Sequence, residues 1–433
     1  MDRQSARKLT KNKRKSQTCK VYEVKIDRSH LSQKSLDHLY SLFREAKWFY
    51  NYCLSQDDIN NSDYKAKSVP VKIGDKFEDR SFTVLQGQMK QSIKTRLFGS
   101  LKTLSALKKK SRKVGWLKFK SNINSIPLVQ LGISKHNSGT YYIDKERYRV
   151  RIQGMKQWLR VKGLEQIKDG VDIANATLVK KCDDFYLHIT TFKNKQENIV
   201  PEQSIGIDFG CQTQLTFSNG IKIEFQVPIS DRLKRLDRKI SQKVNGKIGK
   251  NRPSKNRRKL QAKRRKAYEY LTNKKKDIRN KIVSAITKNY KYVCFQDESI
   301  HAWHAGNHGK KIQNSGIGGI ISDLKHKSHT PLEVDKFFPS TKLCPQCGSL
   351  NKLEIGDRIY QCECGFIEDR DIKSAKCIEI EGMKNIVPMD YRDIKLEENS
   401  SSTFFNLLTN INGIKVGKMG SLSQEAIETI SLL

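Results

Sequence analysis

The sequence contains no apolar run of about 18 residues, the length that a membrane-spanning helix needs. Its first residues are basic but no apolar segment follows them, so we expect no secretory signal. Internal repeats are also absent. With 36% hydrophobic and 30% charged residues, the composition excludes a disordered chain and predicts a globular protein of several lobes.

Acidic residues are scarce beside basic ones, with 45 Asp and Glu against 83 Lys and Arg and a net charge of +38. Such an excess predicts a polyanionic partner, although basic surfaces that face only solvent also occur. The charge is concentrated: residues 231–290 hold 23 basic and 4 acidic residues. Concentrated positive charge repels itself, and this cost favours nucleic acid as the partner.

Aromatic residues accompany one of the basic segments, residues 108–120, which carries seven basic and no acidic residues together with Trp116 and Phe119. Basic side chains interleaved with aromatic rings hold phosphates and stack bases. We therefore predict that two groups of residues bind nucleic acid. The first, in this segment, is Lys108, Lys109, Lys110, Trp116, Lys118 and Lys120, and the second, within residues 231–290, is Arg257, Arg258, Lys259, Lys263, Arg264 and Arg265.

Four of the ten cysteines form two closely spaced pairs, Cys344 with Cys347 and Cys362 with Cys364. Two such pairs can close a tetrahedral, all-thiolate site, so we predict one structural zinc ion. Disulfides or four unrelated thiols are the alternative. The Cys-Glu-Cys pair is one residue tighter than the usual Cys-x-x-Cys.

Hydrophobic periodicity divides the chain into lobes. A strand at residues 21–26 precedes an amphipathic helix at residues 36–54 and a second helix at about 84–107, and alternating residues from about 116 to 189 predict strands of a small β-barrel. Past Pro201 the pattern predicts a strand, a two-stranded hairpin, two basic helices broken near residues 251–253, and another strand. This order is typical of an RNase H-like core.

Three acids stand at matching places in that core: Asp208 in its first strand, Glu298 after the later strand, and Asp371 at the start of a final helix. An RNase H-like nuclease needs converging carboxylates because two Mg²⁺ ions require oxygen ligands on both sides of the scissile phosphate. We therefore predict that these three acids are catalytic and bind magnesium. Asp297 remains the alternative second acid, and each acid alone could simply be a surface residue.

The segments I-G-I-D-F-G, F-Q-D-E-S-I, F-P-S-T-K-L-C-P-Q-C-G and R-I-Y-Q-C-E-C-G-F-I-E-D-R-D-I-K-S-A resemble the acidic motifs and zinc finger of the TnpB family. These are transposon-encoded RNA-guided nucleases related to the miniature type V CRISPR effectors. The resemblance covers about residues 205–380 and maps the family's acids and zinc ligands onto the residues named above. Two departures concern the acids: many relatives carry E-D-L where this chain has Gln296-Asp297-Glu298, and Lys373 occupies the place of an asparagine.

The resemblance implies an RNA-guided DNA endonuclease that cuts double-stranded target DNA in a single RuvC-like site, with guide RNA, two Mg²⁺ ions and one Zn²⁺ ion. It also implies a prokaryotic cytoplasmic location near the nucleoid, and it leaves open the guide's origin and whether the protein is a homodimer. A cleavage-deficient RNA-guided regulator and an unguided RNase H-like transposase or resolvase are the rival interpretations.

The predicted fold class is an α/β multidomain protein in which a RuvC-like core with an inserted zinc finger follows a β-barrel wedge domain with an inserted helical recognition lobe. The predicted boundaries are 1–18 for a basic N-terminal arm, 19–30 and 114–200 for the wedge, 31–113 for the recognition lobe, 201–336 and 366–386 for the nuclease domain, 337–365 for the finger, which would bind target nucleic acid, and 387–433 for a flexible tail.

Overall fold

The computed structural model describes residues 3–129, 131–132, 139–195, 200–243, 254–306, 308–354, 356–386 and 398–418. The chain divides into two compact units, residues 1–197 and residues 198–433. We call them the first and the second unit.

The described residues of the first unit form three α-helices and ten strands. In chain order they are α1 (Arg3–Lys15), β1 (Gln17–Ile26), α2 (Gln33–Ser55), β2 (Ser68–Ile73), β3 (Lys76–Ser81), α3 (Gly87–Lys109), β4 (Ser125–Leu128), β5 (Leu131–Gly132), β6 (Tyr141–Asp144), β7 (Arg149–Ile152), β8 (Leu159–Lys162), β9 (Asp172–Lys181) and β10 (Asp184–Asn194).

Eight of these strands form one sheet in the order β4-β9-β10-β1-β8-β7-β6-β5. Alternation in β1 buries Val24 and Ile26 on one face, and Val24 pairs across to the buried Leu187 of β10. The apolar stripe of α2, including Leu39 and Phe49, joins the same core. Helices α2 and α3 and the separate β2–β3 hairpin follow β1 in the chain, and the hairpin was not predicted from the sequence. Closure of the sheet into a barrel remains a prediction.

The prediction of a flexible basic arm at the N-terminus is wrong for most of that segment. Residues 3–15 form helix α1, and β1 begins at Gln17. Two basic residues at the end of α1 are held by one acid, because Lys13 and Arg14 lie 2.7 and 3.1 Å from Asp172 of β9. The first two residues lie outside the described ranges.

The second unit contains the remaining elements. They are β11 (Ser204–Phe209), β12 (Leu215–Phe217), β13 (Ile221–Phe225), α4 (Asp231–Gln242), α5 (Lys255–Asn289), β14 (Tyr292–Gln296), α6 (Ile300–Ala305), α7 (Gly309–Ser315), α8 (Ile317–Lys327), β15 (Thr330–Val334), β16 (Ile359–Gln361), β17 (Ile367–Asp369), α9 (Arg370–Met383), α10 (Glu398–Thr409) and β18 (Ile414–Lys418). The predicted break near residues 251–253 falls outside the described residues.

A six-stranded sheet in the order β15-β14-β11-β12-β13-β18 forms the centre of this unit. Strands β11, β14 and β15 run parallel, whereas β12, β13 and β18 are antiparallel to their neighbours. The strand–hairpin–helix–strand order predicted from the sequence therefore places β11, which contains Asp208, side by side with β14, which ends just before Glu298.

Helix α9 packs closely on β11, and a glycine makes this possible. A Cβ atom on Gly206 would lie 2.0 Å from the carbonyl oxygen of Ala375, so no larger residue fits without moving the helix. Since side chains alternate along a strand, Asp208 shares the face of Gly206 that α9 covers. The glycine thus sets the distance between β11 and the helix that carries Asp371.

The prediction of a flexible C-terminal tail is also wrong for residues 398–418. Strand β18 extends the central sheet by pairing with β13, so that Val416 lies opposite Ile223. Phe404 of α10 is fully buried between the rings of Phe217 and Tyr290. The rest of the tail, residues 387–397 and 419–433, lies outside the described residues.

None of the helices in the described ranges is both long and apolar enough to cross a membrane.

Candidate active site and cysteine cluster

The three predicted acids line one cavity of about 500 Å³ in the second unit. Asp208 comes from β11, Glu298 from the segment after β14, and Asp371 from the first turn of α9. Parallel strands β11 and β14 end at the same edge of the sheet, which is why residues 90 positions apart in the chain meet there. The structure therefore brings together the set that the motifs singled out.

Electrostatics in the cavity disfavour three free carboxylates. Burial, followed by the negative charges of Asp371 and Glu298, raises the pKa of Asp208 to about 8. Burial also raises the pKa of Glu298. Carboxylates that repel one another in a shielded site are stabilised by a bound cation, and carboxylate oxygens are the ligands that Mg²⁺ prefers. The donor set thus fits a hard divalent cation.

The structure separates the two candidates for the second acid. Glu298 lines the cavity with Asp208. Asp297 is exposed, and its carboxylate lies 3.0 Å from the ammonium group of Lys325, outside the set of cavity-lining residues. Strand β14 ends at Gln296, two residues earlier than the sequence pattern indicated, but the alternation still directs neighbouring side chains apart.

Asp369 has a structural position at the start of α9. Its carboxylate accepts hydrogen bonds from the backbone N–H groups of Asp371 and Ile372, which makes it the N-cap of the helix. The same carboxylate is 2.8 Å from the ammonium group of Lys222 in β13. Asp369 therefore orients the helix that presents Asp371.

Lys373, which occupies the place of an asparagine in the family motif, is bonded to backbone carbonyl oxygens rather than to the acids. Its side chain is fully buried, and its ammonium group donates to the carbonyl oxygens of Ser340, Thr341 and Leu343. Burial lowers the pKa of Lys373 to about 8. The lysine thus connects α9 with the segment that leads into the cysteine pairs.

Sequence reasoning missed a set of basic residues around the cavity. They share the wall with the acids and are His308, Lys311, Lys336, Arg358 and Arg370. Two guanidinium groups approach Asp371, with Arg358 at 3.9 Å and Arg370 at 3.7 Å. Arg370 was visible as the middle residue of Asp-Arg-Asp, whereas Arg358 becomes a cavity residue only because the β16–β17 hairpin folds back beside the sheet.

The four predicted zinc ligands form a compact cluster, with their sulfur atoms all within 4.8 Å of one another. Sulfur separations of 3.7 Å for Cys344–Cys364 and 3.5 Å for Cys347–Cys362 match the spacing of about 3.8 Å around a tetrahedral zinc ion. Each pair turns at a following glycine with positive φ, Gly348 at 75° and Gly365 at 88°. The shortened Cys-Glu-Cys pair therefore still converges, and the cluster fits a zinc finger.

A serine between the pairs helps to keep one thiol in the metal-binding form. The hydroxyl oxygen of Ser349 lies 3.0 Å from Cys347 Sγ and 3.2 Å from Cys362 Sγ. Its hydrogen bond is the main cause that lowers the pKa of Cys362 to about 5. Thiolates are the zinc ligands, so this environment suits metal binding.

In the first unit, the predicted basic and aromatic residues of segment 108–120 are exposed. Trp116 is 89% exposed and, with Lys118 and Lys120, lines a cavity of about 410 Å³ beside Tyr50 and Arg96. The side chain of Asn51 holds the segment by bonding both the N–H and the carbonyl of Lys120. Lys108, Lys109 and Lys110 lie at the exposed end of α3.

The second predicted nucleic-acid-binding group lies on α5 in the second unit. Arg258, Lys259, Lys263 and Arg265 are exposed, and Arg257 is half-buried. Arg264 differs, because it forms an ion pair with Asp237 of α4 and stacks over Tyr268. Arg264 therefore joins the two basic helices and is the member of this group that the structure assigns to packing.

Comparison with known proteins gives one matching family model, "Cas12f1-like, TNB domain", over residues 322–378. A protein of Streptomyces pristinaespiralis described as "Putative RNA-guided DNA endonuclease" is 27% identical over 189 residues, which are 42% of this chain and 45% of that protein. A TnpB-like protein of Acanthamoeba polyphaga mimivirus is 26% identical over 210 residues, 44% of this chain and 38% of that protein.

Among solved structures, a cryo-EM structure of a Cas12f1–sgRNA–target DNA complex covers 79% of this chain and 82% of the matched chain, with 14% identity and a TM-score of 0.43. The chain spans less than half the length of the curated relatives reported above. The matched residues of the family model contain the whole cysteine cluster and Asp371. Taken together, this match and the sequence relatives support a TnpB-family assignment for the chain.

Proposed function

We propose that this chain is an RNA-guided DNA endonuclease that hydrolyses phosphodiester bonds of target DNA in a single RuvC-like site. The observation that carries the proposal is the convergence of Asp208, Glu298 and Asp371, from three separate elements, on one cavity. The family relatives described as RNA-guided DNA endonucleases support the same reaction.

In this proposal the carboxylates of Asp208, Glu298 and Asp371 hold two Mg²⁺ ions. When bound, such ions activate a water molecule and neutralise the oxygen that leaves the phosphorus. The protein contributes the placement: Gly206 sets the approach of β11 to α9, and Asp369 caps the helix that presents Asp371. Carboxylates fixed in this way lose little entropy when they bind the ions.

Basic residues of the cavity wall would hold the DNA backbone next to the carboxylates. Arg358 is oriented for this by a 2.9 Å hydrogen bond from its guanidinium group to the side-chain oxygen of Gln212. Lys311 and Lys336 lie on the same wall. Cations placed here offset the charge of the phosphate, which would otherwise be repelled by three acids.

The remaining parts of the proposal concern partners. One structural Zn²⁺ ion bound by Cys344, Cys347, Cys362 and Cys364 would fold the finger, which would contact target nucleic acid. Guide RNA and target DNA would bind the exposed basic residues of segment 108–120 and of α5. Sequencing of RNA that co-purifies with the protein from its native host tests the guide directly.

Cleavage of a guide-matched plasmid in the presence of Mg²⁺ tests the catalytic proposal. Asp208→Asn should lower the cleavage rate by several orders of magnitude and leave guide and target binding intact, because it removes a metal ligand without changing shape. Asp297→Asn is the matched control, since its carboxylate lies outside the cavity. Equal activity of the two variants would contradict the assignment.

A second candidate function, an RNA-guided regulator that binds DNA without cutting it, is favoured by one residue. Gln296 stands where many relatives have the glutamate of E-D-L, and its amide lies in the wall of the cavity. An amide supplies no charge to bind Mg²⁺. Glu298 would have to take over that role for the nuclease proposal to hold.

Cleavage assays on the native protein and on Glu298→Gln distinguish the two candidates. A nuclease that uses Glu298 cleaves in its native form and loses cleavage in Glu298→Gln. A regulator shows guided binding of target DNA without cleavage in the native protein. Binding of target DNA should persist in every variant, which separates loss of catalysis from loss of complex formation.

A further inference from the structure

The segment between β15 and the first cysteine pair, residues 335–343, has no regular secondary structure. We call it the connector. It carries Ser340 and Thr341 into the wall of the cavity and then leads directly to Cys344. A segment of this kind keeps a fixed path only if other groups satisfy its backbone carbonyls.

One end of the connector is held by the amide of Gln296. The amide nitrogen donates to the carbonyl oxygens of Asp335, Lys336 and Phe338 at 3.0, 3.2 and 2.8 Å. The amide oxygen accepts a hydrogen bond from the hydroxyl group of Ser340. Gln296 is buried, so these bonds replace contacts with water.

The other end is held by Lys373. Its ammonium group lies 2.9, 2.7 and 3.1 Å from the carbonyl oxygens of Ser340, Thr341 and Leu343. An ammonium group has three donors, and these carbonyls use all of them. The same nitrogen lies 4.0 Å from the centre of the Tyr360 ring inside the finger. All the hydrogen bonds that this ammonium group donates therefore go to the connector, and its ring contact is with the finger.

Both holding residues are neighbours of proposed catalytic acids. Gln296 precedes Glu298 by two residues, and Lys373 follows Asp371 by two residues. They are also two positions at which the motifs of this chain differ from those of the family that it resembles. A glutamate at 296 would face three carbonyl oxygens without a proton to donate, and an asparagine at 373 is too short to span the distance that the lysine covers.

We propose that Gln296 and Lys373 act together as a clamp that fixes the connector, and through it the zinc finger, against the elements that carry Glu298 and Asp371. They are positioning residues, and their effect on cleavage rests on the proposed nuclease function. The existence of the clamp does not depend on that function, because the clamp is defined by hydrogen bonds to six backbone carbonyls of one segment.

Hydrogen exchange measured by mass spectrometry on the zinc-loaded protein tests the clamp. Lys373→Met keeps the length of the side chain and removes its donors. It should accelerate exchange of the protected connector amides of Phe338, Ser340, Lys342 and Leu343 by about tenfold or more, since a hydrogen bond to a charged group is worth at least that factor. Lys376→Met is the matched control: Lys376 is on the same helix and nearly as buried, but pairs with Glu368.

Gln296→Met provides the second arm and keeps the test valid if Lys373→Met does not fold. It should accelerate exchange of the same amides. In the double variant the exchange rates should be higher than in either single variant, but the increase should be smaller than the product of the two single increases, because both residues hold one segment. Equal exchange in Lys373→Met and Lys376→Met would overturn the proposal. So would acceleration that spreads equally to β11 and β14, which would indicate general destabilisation.

A metal readout connects the clamp to the acids. The concentration of Mn²⁺ at half-saturation, followed by electron paramagnetic resonance, should rise in Lys373→Met and stay unchanged in Lys376→Met. Unchanged Mn²⁺ binding in both variants would overturn the positioning of the acids. If the native protein neither binds Mn²⁺ nor cleaves DNA, the proposed function fails while the exchange result still decides whether the clamp exists.

Discussion

Two adjacent leucines in α10 provide a sharp test of whether the C-terminal segment belongs to the core of the second unit. Leu408 is fully buried, whereas Leu407 is 43% exposed. Leu408→Ala should lower the free energy of unfolding by about 2–5 kcal/mol, through lost burial and the cavity left behind. Leu407→Ala should change it by about 1 kcal/mol or less, and helix propensity favours alanine slightly in both variants.

The assay can be confined to the second unit. Trp303 is the one tryptophan of residues 198–433, so its fluorescence follows this unit in a background in which the other three tryptophans are phenylalanine. With a urea dependence of about 3 kcal/mol per molar, a loss of about 3 kcal/mol moves the midpoint by about 1 M. The two units can unfold separately, so a probe specific to one of them is needed.

Equal midpoints for Leu407→Ala and Leu408→Ala would refute the placement of α10. Deletion of residues 398–433 should also destabilise the second unit, because it removes β18 from the sheet and Phe404 from between Phe217 and Tyr290. A truncated protein with the native midpoint would mean that these contacts contribute nothing to the folded state.

Three further outcomes are expected. Metal analysis should find about one zinc per chain in the native protein and none in Cys344→Ser. A native protein that is correctly folded but free of zinc would contradict this prediction. Asp369→Ala should cost about 0.5–2 kcal/mol in urea unfolding, because it removes the cap of α9, and should retain more cleavage than Asp371→Ala; the reverse order would assign catalysis to Asp369. Replacing Arg258, Lys259 and Lys263 with glutamine should reduce the steepness with which the logarithm of the nucleic-acid binding constant falls with the logarithm of salt concentration, by about 2–3. Arg279→Gln should leave this slope unchanged, because the guanidinium group of Arg279 is paired with Asp323.

Short-range patterns in the sequence predicted much of the site. Two cysteine pairs close in the chain must lie close in space, and the structure confirms their cluster. Strand β11 could be predicted because a short apolar run that ends in Asp208 and Gly210 is typical of a buried strand. The third acid was predicted from its place at the start of a final helix, and α9 begins at Arg370, immediately before it.

Composition misled where tertiary contacts outweigh it. The basic residues of α1 and the polar tail both predicted flexibility. Asp172 neutralises the end of α1, and the unpaired edge of β13 accepts β18. Neither partner is near in sequence, so no local pattern could show them.

The sequence by itself determined which acids and thiols this protein has to offer and the order in which strands and helices present them, because periodicity and motif spacing act over a few residues. Only the tertiary structure decided how they are used. It placed Glu298 in the cavity and Asp297 outside it, brought Arg358 to Asp371, and bonded Lys373 to three carbonyl oxygens. These choices depend on which buried polar groups find partners across the fold, and burial and pairing are properties of the packed chain rather than of any segment.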